Sequence, residues 1–79
     1  MNRQEIEKKV NEILVDKLYL EPGVINSDAK FEEDLNGDSL DCVELIMEFE
    51  KEFDISIKDE DAEQCVTVGQ MYDLVEQAL

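Results

Sequence analysis

Apolar residues recur every three to four positions in three parts of the chain, which is the spacing of an amphipathic helix. The first part stops before Glu21-Pro22-Gly23 and carries its apolar face on Ile6, Val10, Ile13, Leu14 and Leu18. Residues 20–37 then hold the only proline and two of the three glycines. They predict a long loop, with room for one short helical turn after Ser27.

The second helical segment is predicted from about Ser39 to Phe53, and it carries two apolar stripes. Asp38 suits its N-cap, Asp41 lies near the positive end of its dipole, and Asp54 suits its C-terminal end. At about 100° per residue, one stripe predicts the face buried against other helices; it consists of Cys42, Leu45, Ile46, Phe49 and Phe53. The second stripe consists of Leu40, Val43 and Met47 and centres about 140° away. It indicates either an apolar docking surface with an acidic rim or a stripe that the long loop covers.

The rest of the chain predicts one short helix and one longer helix. The short helix, around Asp59 to Gln64, follows an extended stretch at residues 55–57. Thr67 and Gln70 form a capping box for a last helix that ends near Leu79. We therefore predict an all-α fold in one domain, residues 1–79: a four-helix bundle with three main helices, one short helix and a long loop between the first and second.

The net charge of the chain limits the kinds of partner that it is expected to bind. Twenty-two acids against seven Lys and Arg residues give a net charge of −15. This charge argues against nucleic acid and anionic membranes as partners and favours a basic protein surface. The N-terminus begins directly in a charged helical pattern, and no apolar run is long enough to cross a membrane. We expect a cytoplasmic monomer without membrane insertion.

The residue types present argue against catalysis and against a metal site. With no histidine, no serine or cysteine has the usual imidazole base, and no Gly-rich phosphate loop occurs. Cys42 and Cys65 form no CxxC pattern and are expected to be small core thiols. Asp34, Asn36 and Asp38 match EF-hand positions 1, 3 and 5, but Ser39 and Leu45 stand where glycine and a bidentate glutamate are needed. We predict neither an enzyme nor a metal site.

A short motif at the start of the second helix carries a family resemblance. Asp38-Ser39-Leu40-Asp41 follows Asn36-Gly37, with residues 31–35 before it and residues 42–47 after it. Together these residues resemble the acyl carrier proteins, and the likeness extends over nearly the whole chain. Taken alone, Ser39 would be an ordinary first-turn residue, although a helix N-terminus favours an anion such as a phosphodiester.

The resemblance implies a function and a set of sites. Ser39 would carry 4'-phosphopantetheine from coenzyme A, on which acyl intermediates of fatty-acid or polyketide biosynthesis are held as thioesters. Its partners would be a phosphopantetheinyl transferase and acyl-transferring and chain-elongating enzymes with basic docking surfaces. The docking residues would be Asp38, Leu40, Asp41, Val43, Glu44, Met47 and Glu50. An acyl pocket would be formed by Phe49, Ile57, Ala62 and Cys65.

Several positions depart from the family pattern. Asn36-Gly37 replaces the usual Gly-Ala, Glu32 stands where an apolar residue is common, Cys65 takes an aliphatic place and Lys51 takes an acidic one. These departures leave the acyl cargo and the partner enzymes open. The alternative is an unmodified acidic helical adaptor, which would bind a basic protein through the same stripe and use Ser39 only to cap the helix.

Overall fold

A computed structural model describes residues 2–35, 37–63 and 66–79, with the backbone alone of Pro22 and Ser39. The helices are α1 (Arg3–Leu18), α2 (Ser39–Phe53), α3 (Asp59–Ala62) and α4 (Val68–Ala78). This order confirms the predicted all-α fold of three main helices and a short one. Among the described residues of the long loop, a helical turn is formed by Pro22–Val24, earlier than the expected position after Ser27. Proline favours the first position of a helical turn because its φ is already fixed there.

Capping side chains mark where α1 and α4 begin, and a left-handed residue marks where α2 ends. The Asn2 side chain accepts a hydrogen bond from the Glu5 N–H at 2.9 Å and begins α1. At the start of α4, Gln70 N–H donates to Thr67 Oγ1 and Thr67 N–H donates to Gln70 Oε1, which confirms the predicted capping box. Asp54 ends α2 with a φ of 54°, the left-handed conformation that stops a helix, as predicted.

The core lies where α1 meets α2 and α4. The predicted buried face of α2 is confirmed for Leu45, Ile46, Phe49 and Phe53, while Cys42 is half-buried at the edge of that face. α3 contributes no buried residue, and only its Ala62 is half-buried. The core also contains these residues of the other segments: Ile6, Val10, Leu14, Ala29, Phe31, Leu35, Val68, Met71, Tyr72 and Val75.

Backbone hydrogen bonds join the long loop to the start of α4. Phe31 N–H donates to the Val66 carbonyl at 2.8 Å, and Val68 N–H donates to the Ala29 carbonyl at 3.0 Å. A third bond runs from Gly69 N–H to the Ser27 carbonyl at 2.9 Å. The sequence pattern did not predict this pairing, because it depends on contacts between residues far apart in the chain. It fixes the loop that leads into Ser39.

Candidate functional site

Two aspartates close the first turn of α2 around Ser39. Asp38 is the N-cap, as predicted, and its Oδ1 accepts from the Asp41 N–H at 2.9 Å. Asp41 Oδ2 accepts from the Asp38 N–H at 3.2 Å, so the pair forms a capping box. The Asp38 carbonyl also accepts from the Cys42 N–H at 3.0 Å. The helix start is thus capped by the residues on either side of the Ser39-Leu40 pair.

This capping box changes the electrostatic argument for an anion at Ser39. The amides of Asp41 and Cys42 already have acceptors, and two carboxylates offset the positive end of the helix dipole. A phosphodiester on Ser39 would therefore gain less from the helix N-terminus than the sequence alone suggested.

The loop before Ser39 is held by buried apolar side chains. Phe31 and Leu35 lie in the core, and the Lys30 carbonyl accepts from both the Asp34 and the Leu35 N–H groups. Gly37 N–H donates to the Phe31 carbonyl at 3.0 Å, which turns the chain into α2. The Asn36 half of the predicted Asn-Gly turn lies outside the described residues.

The second apolar stripe of α2 is exposed. Leu40, Val43 and Met47 are 66%, 56% and 62% exposed. The alternative that the long loop covers them is therefore wrong: the loop places Phe31 and Leu35 into the core instead. The acids predicted to accompany the stripe are placed as follows: Asp38 and Glu44 exposed, Asp41 and Glu50 half-buried.

A groove of about 720 Å³ opens between α2, α3 and the loop. This volume lies within the range of small-molecule sites. Its apolar wall is formed by Phe31, Cys42, Val43, Ile46, Met47, Ala62 and Val66, and its polar wall by Lys30, Glu32, Glu33, Asp38, Glu50, Asp59 and Glu63. Asp38, the residue before Ser39, is thus part of the lining.

The residues predicted for an acyl pocket take different positions around this groove. Ala62 lines it, Phe49 is fully buried in the core, and Ile57 is half-buried against the core. Cys65 lies outside the described residues. Cys42 and Ile46, predicted from the sequence for the core stripe alone, also line the groove. Their i, i+4 spacing on the edge of that stripe was the available signal.

The Cys42 thiol is free and lies in the wall of the groove. Partial burial raises the pKa of this thiol above its ordinary value, and the negative charge of Glu32 raises it further. The thiol is therefore held in its neutral form at neutral pH. Glu32, which also lines the groove, thus affects the charge state of the Cys42 thiol there.

Two other classes of site find no support in the described residues. Among them, no group of three or more Asp, Glu, Cys or His side chains is arranged to hold a metal ion. No helix in the described ranges is both long and apolar enough to cross a membrane.

Comparison with known proteins shows the family of the chain. Residues 8–75 match the family model described as the phosphopantetheine attachment site. The acyl carrier protein of Porphyromonas gingivalis is 49% identical over 75 residues, covering 95% of this chain and 96% of the relative. The acyl carrier protein of Akkermansia muciniphila is 47% identical over 76 residues, covering 96% and 95%. The structure of an acyl carrier protein from Enterococcus faecalis superposes with a TM-score of 0.83 at 34% identity, covering both chains completely.

These matches agree with the helical fold and the exposed helix start. The chain belongs to the phosphopantetheine attachment family and, within it, to the acyl carrier proteins. Its cofactor is 4'-phosphopantetheine, which supplies the thiol that carries the acyl group. Members of this family are carriers that work with biosynthetic enzymes.

Proposed function

We propose that Ser39 is the attachment site of 4'-phosphopantetheine and that the chain presents acyl thioesters to separate enzymes. The observation that carries this proposal is the position of Ser39 as the first residue of α2, directly after Asp38 in the wall of the groove. An arm attached at this point begins beside an apolar cleft and beside an exposed helix face. The two surfaces serve a carrier in different ways.

The groove offers shelter to an apolar acyl chain. Its wall contains Ile46, Val43 and Ala62, and its volume is sufficient for a small ligand. Burying each methylene of an acyl chain would contribute about 0.8 kcal/mol. The ring of acids around the groove keeps its entrance hydrated, which favours easy release of the cargo.

The exposed stripe of α2 offers a docking surface. Leu40, Val43 and Met47 supply apolar contact, and Asp38, Asp41 and Glu44 supply negative charge around them. A basic enzyme surface would be attracted by this charge and then bind through the apolar centre. The proposed partners are a phosphopantetheinyl transferase and acyl-transferring and chain-elongating enzymes of fatty-acid or polyketide biosynthesis.

The chain itself acts as a carrier and not as an enzyme. It has no histidine, and the neutral Cys42 thiol is a poor nucleophile. We also propose that residues 1–79 form one domain, which functions as a monomer in the cytoplasm. A reducing compartment would keep both Cys42 and the thiol of the arm available.

Intact-mass spectrometry tests the attachment site. The protein is incubated with coenzyme A, Mg²⁺ and a phosphopantetheinyl transferase, and the expected result is a mass gain of one phosphopantetheine. Ser39→Ala should remove the gain and leave the helical spectrum intact, because Asp38 and Asp41 cap the helix. Ser27→Ala and Ser56→Ala are matched controls at the two other serines, both exposed, and should load normally.

The same experiment separates the carrier from the unmodified adaptor. An adaptor would stay at its original mass under all conditions while remaining folded. Loading that persists in Ser39→Ala would contradict the attachment site but not the family. Since the capping box already closes the helix start, the adaptor has no need of Ser39 as a cap.

A further inference from the structure

Glu50 accepts three hydrogen bonds from the segment that follows α2. Its carbonyl accepts from the N–H groups of Asp54 and Ile55, which ends the helix. Its side-chain Oε2 accepts from the Ile57 N–H at 3.0 Å. The residues between Phe53 and Asp59 form no regular structure, and Glu50 accepts from three of their N–H groups, while Ile55 and Ile57 pack against the core.

In the part of the chain that the structure describes, α3 contacts the core through Ala62. It has four residues, none of them buried, and its N-cap Lys58 makes no side-chain capping bond. Yet Asp59 and Ala62 of α3 form part of the groove wall opposite Val43 and Met47 of α2. The position of this wall therefore depends on the packing of Ile57 and Ala62 against the core and on the hydrogen bond by which Glu50 holds Ile57.

We propose that Glu50 is a positioning residue: by accepting the Ile57 N–H, its carboxylate fixes α3 and so sets the width of the groove. This role rests on the proposed function only where it concerns the acyl chain. It differs from the docking role that the resemblance gave to Glu50, because the half-buried carboxylate is turned to the chain's own backbone. Loss of the acceptor would release α3 and expose the contents of the groove.

Two substitutions at Glu50 distinguish the effect of its hydrogen-bond acceptor from the effect of its negative charge. Glu50→Gln keeps a side-chain carbonyl oxygen of the same reach and removes the charge, whereas Glu50→Ala removes both. If Glu50 positions α3, Glu50→Gln should behave like the parent protein and Glu50→Ala should differ from both. A docking role requires Gln and Ala to behave alike. Glu52→Gln and Glu52→Ala are matched controls at an exposed glutamate of the same helix.

Amide hydrogen exchange of the unloaded protein provides the first readout. We expect the Ile57 amide to exchange about tenfold faster or more in Glu50→Ala and to stay within about threefold of the parent in Glu50→Gln. Both Glu52 variants should leave it unchanged. An unchanged Ile57 amide in Glu50→Ala would overturn the proposal. If Glu50→Ala does not fold, Glu50→Asp, which shortens the side chain by one methylene, takes its place.

Protection of the cargo provides the second readout. The protein carrying a hexanoyl thioester is treated with hydroxylamine, and release of the acyl group is followed by mass. Glu50→Ala should release it several-fold faster, and Glu50→Gln at nearly the parent rate. Equal release from both variants and the parent would overturn the control of the groove. A failure to load at all would contradict the proposed function, while the exchange result would still test the bond.

Discussion

The ring of Phe31 occupies the space that a side chain at residue 37 would fill. A β-carbon built on Gly37 would lie 2.6 Å from Cε1 and 2.7 Å from Cε2 of this ring. Gly37 has no positive φ, so the requirement for glycine comes from the ring and not from the backbone. Glycine at position 37 therefore leaves the space that the buried Phe31 ring fills beside the start of α2.

Gly37→Ala should destabilise the protein. The added methyl group must displace a buried ring, and overpacking of this kind costs about 1–3 kcal/mol. Gly23→Ala is the matched control, since a β-carbon there meets nothing within 4 Å. Urea unfolding followed by circular dichroism should show a lower midpoint for Gly37→Ala alone. Equal midpoints for the two variants would contradict the packing described for Phe31.

The Cys42 thiol should react slowly with alkylating reagents. Partial burial and then Glu32 raise its pKa, so less thiolate is present in the folded protein than in the unfolded chain at pH 8.5. The raised pKa also makes the stability of the fold depend on pH. Because the fold favours the neutral thiol, its contribution is present below the unfolded pKa and is lost as the pH rises through the folded pKa.

Iodoacetamide kinetics with peptide mapping measure Cys42 separately from Cys65. Glu32→Gln removes the negative charge that helps to raise the Cys42 pKa, and it should shift the pH dependence of alkylation to lower pH. Glu21→Gln removes a carboxylate from the other end of the loop and should leave the profile in place. The charge effect would be refuted if both variants gave the parent profile.

A lysine on the exposed stripe should weaken enzyme binding and spare the fold. Val43→Lys or Met47→Lys places a positive charge where we propose that basic enzyme surfaces dock, and we expect kcat/KM of a phosphopantetheinyl transferase to fall about tenfold or more. Unfolding free energies should change by no more than about 0.5 kcal/mol, because both side chains are exposed. Glu52→Gln is the control, because it changes the net charge by the same amount as either lysine substitution but lies outside the stripe. Transfer kinetics like the parent's in both lysine variants would argue against docking there.

Salt should raise the melting temperature. A net charge of −15 on a small fold creates self-repulsion, and raising the salt concentration from about 0.01 M to about 0.15 M shortens the screening length from about 30 to about 8 Å. A gain of 1 kcal/mol at this size corresponds to about 4–8 °C. Calorimetry at increasing NaCl measures the effect. A melting temperature that does not change with NaCl would refute it.

The sequence predicted best those features that neighbouring residues determine. The bounds of α2 follow from Asp38 and Asp54, and its two faces follow from the helical period, so both agree with the structure. The capping box at Thr67 is equally local. Such features need only a few consecutive residues and simple geometry.

Features that join distant segments could not be predicted in the same way. The bond from Phe31 to Val66 and the bond from Ile57 to Glu50 leave no periodic signal in the sequence. The groove is such a feature, because its walls come from α2, α3 and the loop. Cys42 was assigned to the core because a helical pattern gives the direction of each side chain around the helix axis. The pattern does not show whether another part of the chain packs against that side chain.

The three backbone bonds between residues 27–31 and 66–69 also determine when the loop that leads into Ser39 can form. During synthesis from the N-terminus, the loop between α1 and α2 lacks these partners until residues 66–69 have been made. The native surroundings of Ser39 are therefore completed late in biosynthesis. An enzyme that requires that loop in its folded form would modify finished carriers and pass over incomplete ones.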